Sequence, residues 1–138
     1  IKTTEAPMYR RVRAQRAQNR DGGGSQRRGG ITAGDGFAFV SHTGDVYPSG
    51  FLPEAAGNVR DRSIVDVYRN SDLFETLRRK DDLQGKCGAC EFRHSCGGSR
   101  SRAYAETGDP MGSDPLCPYV PEGYDGPLPD RQQAATDD

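Results

Sequence analysis

The sequence KCGACEFRHSCGGSR at residues 86–100 decides how this chain folds, because it holds three of the four cysteines. Cys87, Cys90 and Cys96 are spaced C-x2-C-x5-C, and Cys117 follows as the only other cysteine. Four thiolates with this clustering can close one tetrahedral metal site or hold one iron–sulfur cluster. We therefore predict that the chain folds around an inorganic centre held by these four cysteines.

Three chemical fates are open to the four cysteines. Two disulfides would need an oxidising compartment, and residues 1–20 contain no apolar run of the length that a secretory signal requires. A structural zinc ion is the second, since the turn that contains Gly88 lets backbone amides point at a sulfur, as in zinc knuckles. An iron–sulfur cluster is the third, since three cysteines lie close together and the fourth arrives alone. The spacing by itself does not choose between zinc and a cluster.

The residues around the cysteines resemble one protein family. They are similar to the C-terminal auxiliary-cluster region of radical SAM enzymes, the SPASM domain. They resemble most the branch that includes haem-biosynthesis enzymes acting on sirohaem-derived or coproporphyrin-derived tetrapyrroles. The segments that carry the resemblance are residues 44–53, 57–60, 63–68, 85–105, 107–110 and 114–117. The cysteine block is its most specific part.

Departures from the family pattern limit the number of clusters. A full SPASM domain carries two auxiliary clusters, with a cysteine where Arg100 stands and earlier cysteines near Ala33 and Ser49. None of these replacements offers iron a soft thiolate ligand. The resemblance therefore implies one [4Fe–4S] cluster in this chain, held by the four cysteines, which are the complete set that the family gives to its second auxiliary cluster.

A further departure concerns the radical SAM core. In the family, that core binds SAM on a catalytic [4Fe–4S] cluster through a C-x3-C-x2-C motif, and no two cysteines here have the x3 spacing. Residues 1–11 resemble the end of the barrel that precedes the domain. We therefore expect a C-terminal piece of a radical SAM enzyme that is inactive alone, with the barrel, SAM and a second [4Fe–4S] cluster in a core that acts in cis.

The resemblance also implies a function and partners. Because four cysteine ligands leave no open iron, the auxiliary cluster of this oxidoreductase would transfer electrons rather than bind substrate. The substrate would be a tetrapyrrole or a peptide, and the electron donor a protein such as a ferredoxin or flavodoxin. A zinc-stapled interaction module without a redox role is the alternative from a different class.

The composition predicts a small, thinly packed domain. Of the 138 residues 33% are hydrophobic and 18 are glycine, so that a bound metal centre, worth on the order of 10 kcal/mol, would match the net stability of a whole domain. The net charge of −1 provides no strong field to recruit nucleic acid or an anionic membrane. No apolar run is long enough to span a bilayer. We expect a cytoplasmic protein without either partner.

The fold class predicted is α+β, a small cysteine-rich domain with a β-hairpin and short helices that extends a radical SAM partial barrel. Residues 9–19, after Pro7, suit a helix because they are rich in Arg, Ala and Gln. The predicted organisation is the end of the core at residues 1–20, a flexible linker at 21–30, the cluster domain at 31–121 and a disordered tail at 122–138.

Local signals place the elements of the cluster domain. Residues 37–40 and 45–47 read as a β-hairpin whose Gly44 takes a positive φ. Ser63 and Asp66 read as a capping box that opens a helix. The predicted buried faces are Ile64, Val67 and Tyr68 on that helix and Leu73, Phe74 and Leu77 on the next, which Asp72 would cap; Ser99 to Glu106 would form a last helix, closed by Gly108.

Several cationic side chains have two interpretations each. Arg93, Arg100 and Arg102 are either donors to cluster sulfurs or partners of Glu91 and Glu106 in surface salt bridges. We expect His94 near solvent or donating to a backbone carbonyl, since four thiolates already complete a site. The arginines of the first helix, which either form a solvated face or contact an anionic substrate, are Arg10, Arg11, Arg13 and Arg16.

Overall fold

The computed structural model describes residues 6–21 and 31–130. Most of the predicted linker, residues 22–30, and the last part of the predicted tail, residues 131–138, lie outside the described residues. Within them, helices and one small antiparallel sheet confirm the α+β class. The elements are α1 Met8–Asp21, β1 Phe39–Val40, β2 Asp45–Tyr47, β3 Gly57–Asn58, α2 Ile64–Asn70, α3 Asp72–Arg78, a 3-10 helix Lys80–Asp82, α4 Gly85–Ala89 and α5 Arg100–Thr107.

The predicted hairpin is confirmed as the pair β1 and β2, and a third strand joins it. Val40 pairs with Val46 across the hairpin, and Gly44 turns it with φ of 90°. The short strand β3 pairs antiparallel with β2. Asn58 fixes this strand, since its side-chain amide donates to the carboxylate of Asp45 at 2.9 Å and to the carbonyl of Thr43 at 3.2 Å. The sheet order is therefore β1-β2-β3.

The start of helix α2 confirms the cap at Ser63 but only half of the predicted capping box, since the carboxylate of Asp66 accepts from Arg62 and Asn70. The start of helix α3 does not follow the prediction. The Ser63 hydroxyl accepts from the backbone N–H of Asp66 at 3.1 Å. The prediction that Asp72 caps α3 is wrong, because Ser71 already holds the extended backbone of the cap and Asp72 is the first helical residue. Ile64 is 43% exposed, so its predicted place on the buried face of α2 is also wrong.

The main apolar core joins the sheet to α2 and α3. Val46, Val67 and Phe74 are fully buried, and the ring of Tyr68 meets that of Phe74 edge-on at 5.2 Å between centroids. A fully buried aromatic or branched side chain contributes about 1.5–3 kcal/mol over an exposed one. This core fixes residues 39–78 as a unit with no metal ligand in it.

A second apolar cluster connects that unit to the cysteine-bearing segment. Leu52 and Leu77 pack here against Leu83, which precedes α4, and against Met111, which follows α5. The backbone N–H of Gln84 donates to the carbonyl of Met111 at 2.9 Å. The segments before α4 and after α5 are thus held side by side.

Helix α5 and helix α1 complete the fold. Helix α5 confirms the predicted helix to within a residue: the Ser99 hydroxyl accepts from the N–H of Arg102, and Gly108 ends the helix with φ of 74°. Helix α1 begins directly after Pro7, and Arg10 donates to the carbonyl of Ile31 at 2.8 Å. No helix in residues 6–21 or 31–130 is both long and apolar enough to cross a membrane.

Candidate metal centre

The structure brings the four cysteines to one small cavity. Cys87 lies in α4, Cys90 ends that helix, Cys96 closes the turn after it, and Cys117 comes from the segment beyond α5. All four are free thiols, and three are buried while Cys90 is partly so. The side chains that share this cavity with them include Arg11, Lys86, Arg93 and Tyr119.

A glycine makes room for the cysteines to approach. Gly98 has φ of 63°, a conformation that residues with a Cβ rarely adopt. A Cβ at this position would stand 3.0 Å from the sulfur of Cys87 and 2.7 Å from Nη2 of Arg100. The chain therefore needs glycine here both for its backbone and for the space beside the sulfur.

Hydrogen-bond donors surround the sulfurs. The backbone N–H of Asp114 donates to Sγ of Cys87 at 3.3 Å, and Nη2 of Arg100 does so at 3.5 Å. The amides of Phe92 and Gly98 hydrogen-bond to the thiol sulfurs of Cys90 and Cys96. Donors of this kind stabilise negative charge on sulfur, as second-sphere groups around metal thiolates do.

Three cations are buried around the cavity. Arg11, Lys86 and Arg100 are 7%, 2% and 5% exposed. Lys86 donates from Nζ to the carbonyl of Cys117, and Nη1 of Arg100 donates at 2.8 Å to the carbonyls of Pro110 and Gly112. Charged side chains are seldom buried unless they are paired. Thiolates of Cys117 and Cys87 would add to the negative charge that Asp114 already places near Lys86.

Asp114 holds the segment that delivers Cys117. Its fully buried carboxylate accepts from the N–H of Ser99 at 2.8 Å, from Nη2 of Arg102 at 2.7 Å and from the N–H of Leu116 at 3.1 Å. Burial alone would raise the pKa of Asp114, but the hydrogen bonds from Arg102 and Ser99 outweigh it and lower the pKa below its ordinary value. The carboxylate therefore stays charged and fixes the turn before Cys117.

Burial acts on the thiols in the opposite direction. It raises the pKa of Cys90 to about 11 and raises the pKa of Cys96 as well. These thiols are thus protonated at neutral pH. A metal centre that bound them as thiolates would release their protons, and its binding would be favoured as the pH rises.

Zinc sites and iron–sulfur clusters differ in how their thiolates are arranged. The thiolates of a zinc site all lie about 2.3 Å from one ion and must converge on a point, whereas the thiolates of a cluster bind different iron atoms and stand farther apart. In residues 6–21 and 31–130, no three side chains of the types His, Cys, Asp or Glu are arranged to hold a single metal ion. The described structure therefore shows four cysteines that line one cavity.

The other cationic residues predicted near the site take different positions. Arg100 reaches a sulfur, whereas Arg102 binds Asp114. Arg93 and His94 both contact the carboxylate of Asp81 at 3.0 Å. His94 is exposed, as predicted, and does not line the cavity.

Sequence reasoning missed the roles of Arg11, Lys86 and Tyr119 at the cavity. Arg11 was expected on a solvated face or at a substrate, and it is instead buried over the ring of Tyr119, with its guanidinium carbon 4.5 Å from the ring centroid. The hydroxyl of Tyr119 donates to Glu91, which raises the pKa of Tyr119 to about 12. No local pattern sets Arg11 apart from the exposed Arg13, because its burial depends on how α1 docks.

Comparison with known proteins finds one matching domain family and several similar proteins. Residues 32–91, which include Cys87 and Cys90, match the SPASM iron–sulfur cluster-binding domain. An AdoMet-dependent heme synthase of Methanosarcina barkeri is 40% identical over 128 residues, covering 88% of this chain and 37% of that protein. A pre-heme d1 synthase of Dinoroseobacter shibae is 39% identical over 93 residues, covering 64% of this chain and 23% of that protein.

A third relative is named as a peptide cyclase rather than as a heme or pre-heme synthase. A PqqA peptide cyclase of Methylocella silvestris is 34% identical over 88 residues, covering 60% of this chain and 24% of that protein. The chain thus spans well under half the length of the relatives it matches.

Proposed function

Since this chain carries a SPASM iron–sulfur cluster-binding domain of the haem-biosynthesis radical SAM branch, we propose that it binds one auxiliary [4Fe–4S] cluster. The ligands are Cys87, Cys90, Cys96 and Cys117. The observation that supports this most directly is that the four cysteines line one cavity without converging on a single ion position. The cluster, when bound, accepts and donates one electron.

The surrounding residues suit electron transfer rather than a purely structural role. Four cysteine ligands leave no iron open to a substrate. Arg11, Lys86 and Arg100 place three positive charges around the thiolates. Reduction adds a negative charge, so that these cations stabilise the reduced state more than the oxidised state. The burial of the sulfurs also limits the access of water.

The relatives guide the choice of substrate. Two of them are tetrapyrrole synthases and one is a peptide cyclase. The heme synthase matches 88% of this chain, a larger share than either of the other two relatives matches. The domain therefore serves a radical SAM enzyme that modifies a tetrapyrrole, with a peptide as the second substrate class. The core acts in cis with SAM and a second [4Fe–4S] cluster, a ferredoxin or flavodoxin supplies electrons, and the protein works in the cytoplasm.

Metal analysis tests the cluster directly. The chain is reconstituted under anaerobic conditions with iron and sulfide, and iron, sulfide and zinc are measured per chain. We expect about four irons and four sulfides, as for one [4Fe–4S] cluster. A Cys90→Ala variant serves as the control that lacks one ligand. Stoichiometric zinc with no uptake of iron would overturn the proposal in favour of a zinc-stapled module.

A second assay tests whether the cluster is closed. The reduced, cluster-loaded chain is mixed with SAM, and 5′-deoxyadenosine is measured against the Cys90→Ala control. No product above the control is expected, because the chain has no C-x3-C-x2-C motif and no open iron. Product formation would contradict ligation by four cysteines.

A further inference from the structure

Arg11 is the one residue of helix α1 that lies among the residues of the cysteine cavity in the part of the chain that the structure describes. It is 7% exposed and is separated in sequence from Cys87 by the whole sheet and by α2 and α3. Its guanidinium stacks on Tyr119, whose ring meets that of Phe92 at 6.1 Å between centroids. The guanidinium of Arg11 and the rings of Tyr119 and Phe92 thus form a continuous row of contacts beside the cavity.

The hydrogen bonding of Arg11 is incomplete. Nη1 donates to the side-chain carbonyl of Gln15, one turn along the helix, at 2.7 Å. Nε is buried and has no hydrogen-bond partner among the described residues. A buried charged donor without an acceptor costs more than an ordinary lost hydrogen bond. Among the described residues no protein acceptor meets this donor, so that a group bound in the cavity can supply one.

The cavity specifies what that acceptor is. Its other lining residues are four cysteines, the further cations Lys86 and Arg93, two glycines and the ring of Tyr119, and none of the described residues that line it carries a carboxylate. An anionic group held by the cysteines is therefore the acceptor that Arg11 can meet there. Sulfur atoms of iron–sulfur clusters accept such hydrogen bonds, and these bonds affect the reduction potential.

We propose that Arg11 is a positioning residue of the centre, which donates from Nε to a sulfur atom of the bound cluster and so holds helix α1 against the cluster-binding segment. This inference rests on the proposed function, since it requires a cluster in the cavity. Two consequences follow. The docking of α1 depends on cluster binding, and the charge of Arg11 stabilises the reduced cluster.

The first experiment measures the docking of α1 in the unsubstituted chain. Hydrogen exchange of the α1 amides is compared in the cluster-free and the reconstituted protein, with iron and sulfide measured on each sample. Cluster binding is expected to slow exchange in α1 about tenfold or more, because exchange follows local opening. If the chain takes up no cluster, the proposed function fails. If it takes up the cluster and exchange in α1 does not change, the inference fails.

The second experiment compares Arg11→Gln with Arg13→Gln. Arg13 is an exposed arginine of the same helix, so its substitution removes the same charge without touching the cavity. Arg11→Gln is expected to lower the midpoint potential of the cluster and to abolish the slowing of exchange in α1. Arg13→Gln is expected to change neither, and Arg11→Lys, which keeps the charge, to have a potential nearer to that of the unsubstituted chain. Equal potentials for Arg11→Gln and Arg13→Gln would overturn the inference.

Discussion

The sheet region, residues 39–78, and the cysteine region, residues 83–119, have interiors of opposite chemistry. The interior of the sheet region consists of hydrocarbon side chains, with Val46, Val67 and Phe74 at its centre. The interior of the cysteine region holds thiols together with buried charges, among them Lys86 and Asp114. Apolar burial stabilises the first region by itself, whereas buried charges cost free energy until they are paired.

This difference implies that the two regions depend on the metal centre to different degrees. The sheet region contains no proposed ligand, and the cap of α2 and the core of Val46, Val67 and Phe74 involve no cysteine. In the cysteine region the buried cations lie around thiols whose pKa values are raised by burial, so that a centre bound by their thiolates would add negative charge beside these cations. The following substitutions separate the two regions, from the largest expected effect to the smallest.

Cys117→Ala should have the largest effect and should confine it to the cysteine region. The substitution removes one of four ligands from a centre whose whole binding free energy is on the order of 10 kcal/mol, and the loss of iron should be as severe as for Cys90→Ala despite the distance in sequence. Iron content and hydrogen exchange of residues 83–119 and 39–78 measure this. A full, stable cluster in Cys117→Ala would mean that another residue supplies the fourth ligand.

Phe74→Ala should act on the other region. Removal of this fully buried ring should lower the free energy of unfolding by about 3–5 kcal/mol, through lost burial and the cavity left behind. Urea unfolding measures the change, with the exposed Ile64→Ala as the matched control that should lose much less. Phe74→Ala should still bind iron in full when it is folded. If Phe74→Ala lost iron at urea concentrations where it is still folded, iron binding in the cysteine region would depend on the core of the sheet region.

Asp114→Asn should destabilise the cysteine region by about 3 kcal/mol, because it leaves the guanidinium of Arg102 beside a neutral, buried amide. The pKa of Asp114 is lowered in the folded state, so its contribution is complete above the unfolded pKa, about 3.9, and is lost as the pH falls through the folded value. Acid unfolding of both proteins measures this. The two stability curves should converge as the pH falls below about 4, and a constant difference would contradict the assigned pair.

Gly98→Ala and Gly108→Ala form a matched pair. Both glycines have positive φ, 63° and 74°, so each substitution strains the backbone by about 1–2 kcal/mol. Only Gly98 has neighbours within 4 Å of an added Cβ, and they include the sulfur of Cys87. Iron content should therefore fall in Gly98→Ala and stay full in Gly108→Ala. Equal iron content would show that the space beside Cys87 is not needed for the centre.

Ser63→Ala should have the smallest effect. It removes the hydroxyl that accepts from the N–H of Asp66 at the start of α2, which is worth about 1 kcal/mol. Chemical unfolding should show this loss, with iron content unchanged. A change in iron content in Ser63→Ala would show that iron binding in the cysteine region depends on the stability of the sheet region.

The sequence predicted the elements that have local signals. The hairpin at Gly44, the cap at Ser63 and the helix that Gly108 ends each depend on one turn or one cap. Strand β3 was missed because Gly57–Asn58 is too short to show a pattern, and it pairs through Asn58 and the neighbouring strand. The cap predicted at Asp72 was wrong by one residue, because Ser71 has the extended backbone of the cap and Asp72 is already helical.

The candidate site was partly readable in the same way. The spacing of the cysteines predicted that they would meet, and the structure brings them to one cavity. Arg100 was one of the donors that the sequence suggested for the sulfurs, and its Nη2 contacts Sγ of Cys87. The place of Arg11 could not be predicted, since Arg11 arrives from a distant helix. Contacts of this kind depend on how the helices dock in the tertiary structure, which no local sequence pattern indicates.

The late position of Cys117 has a consequence for how the protein is made. A nascent chain that has passed Cys96 holds three of the four cysteines, and the segment that carries Asp114 and Cys117 does not yet exist. At about 5–20 residues per second, the ribosome needs roughly 1–4 s to add the missing stretch. Three thiols without the fourth do not complete the proposed site, and free thiols can be oxidised or can bind zinc. A cluster could therefore be bound by all four proposed ligands only after translation has passed Cys117.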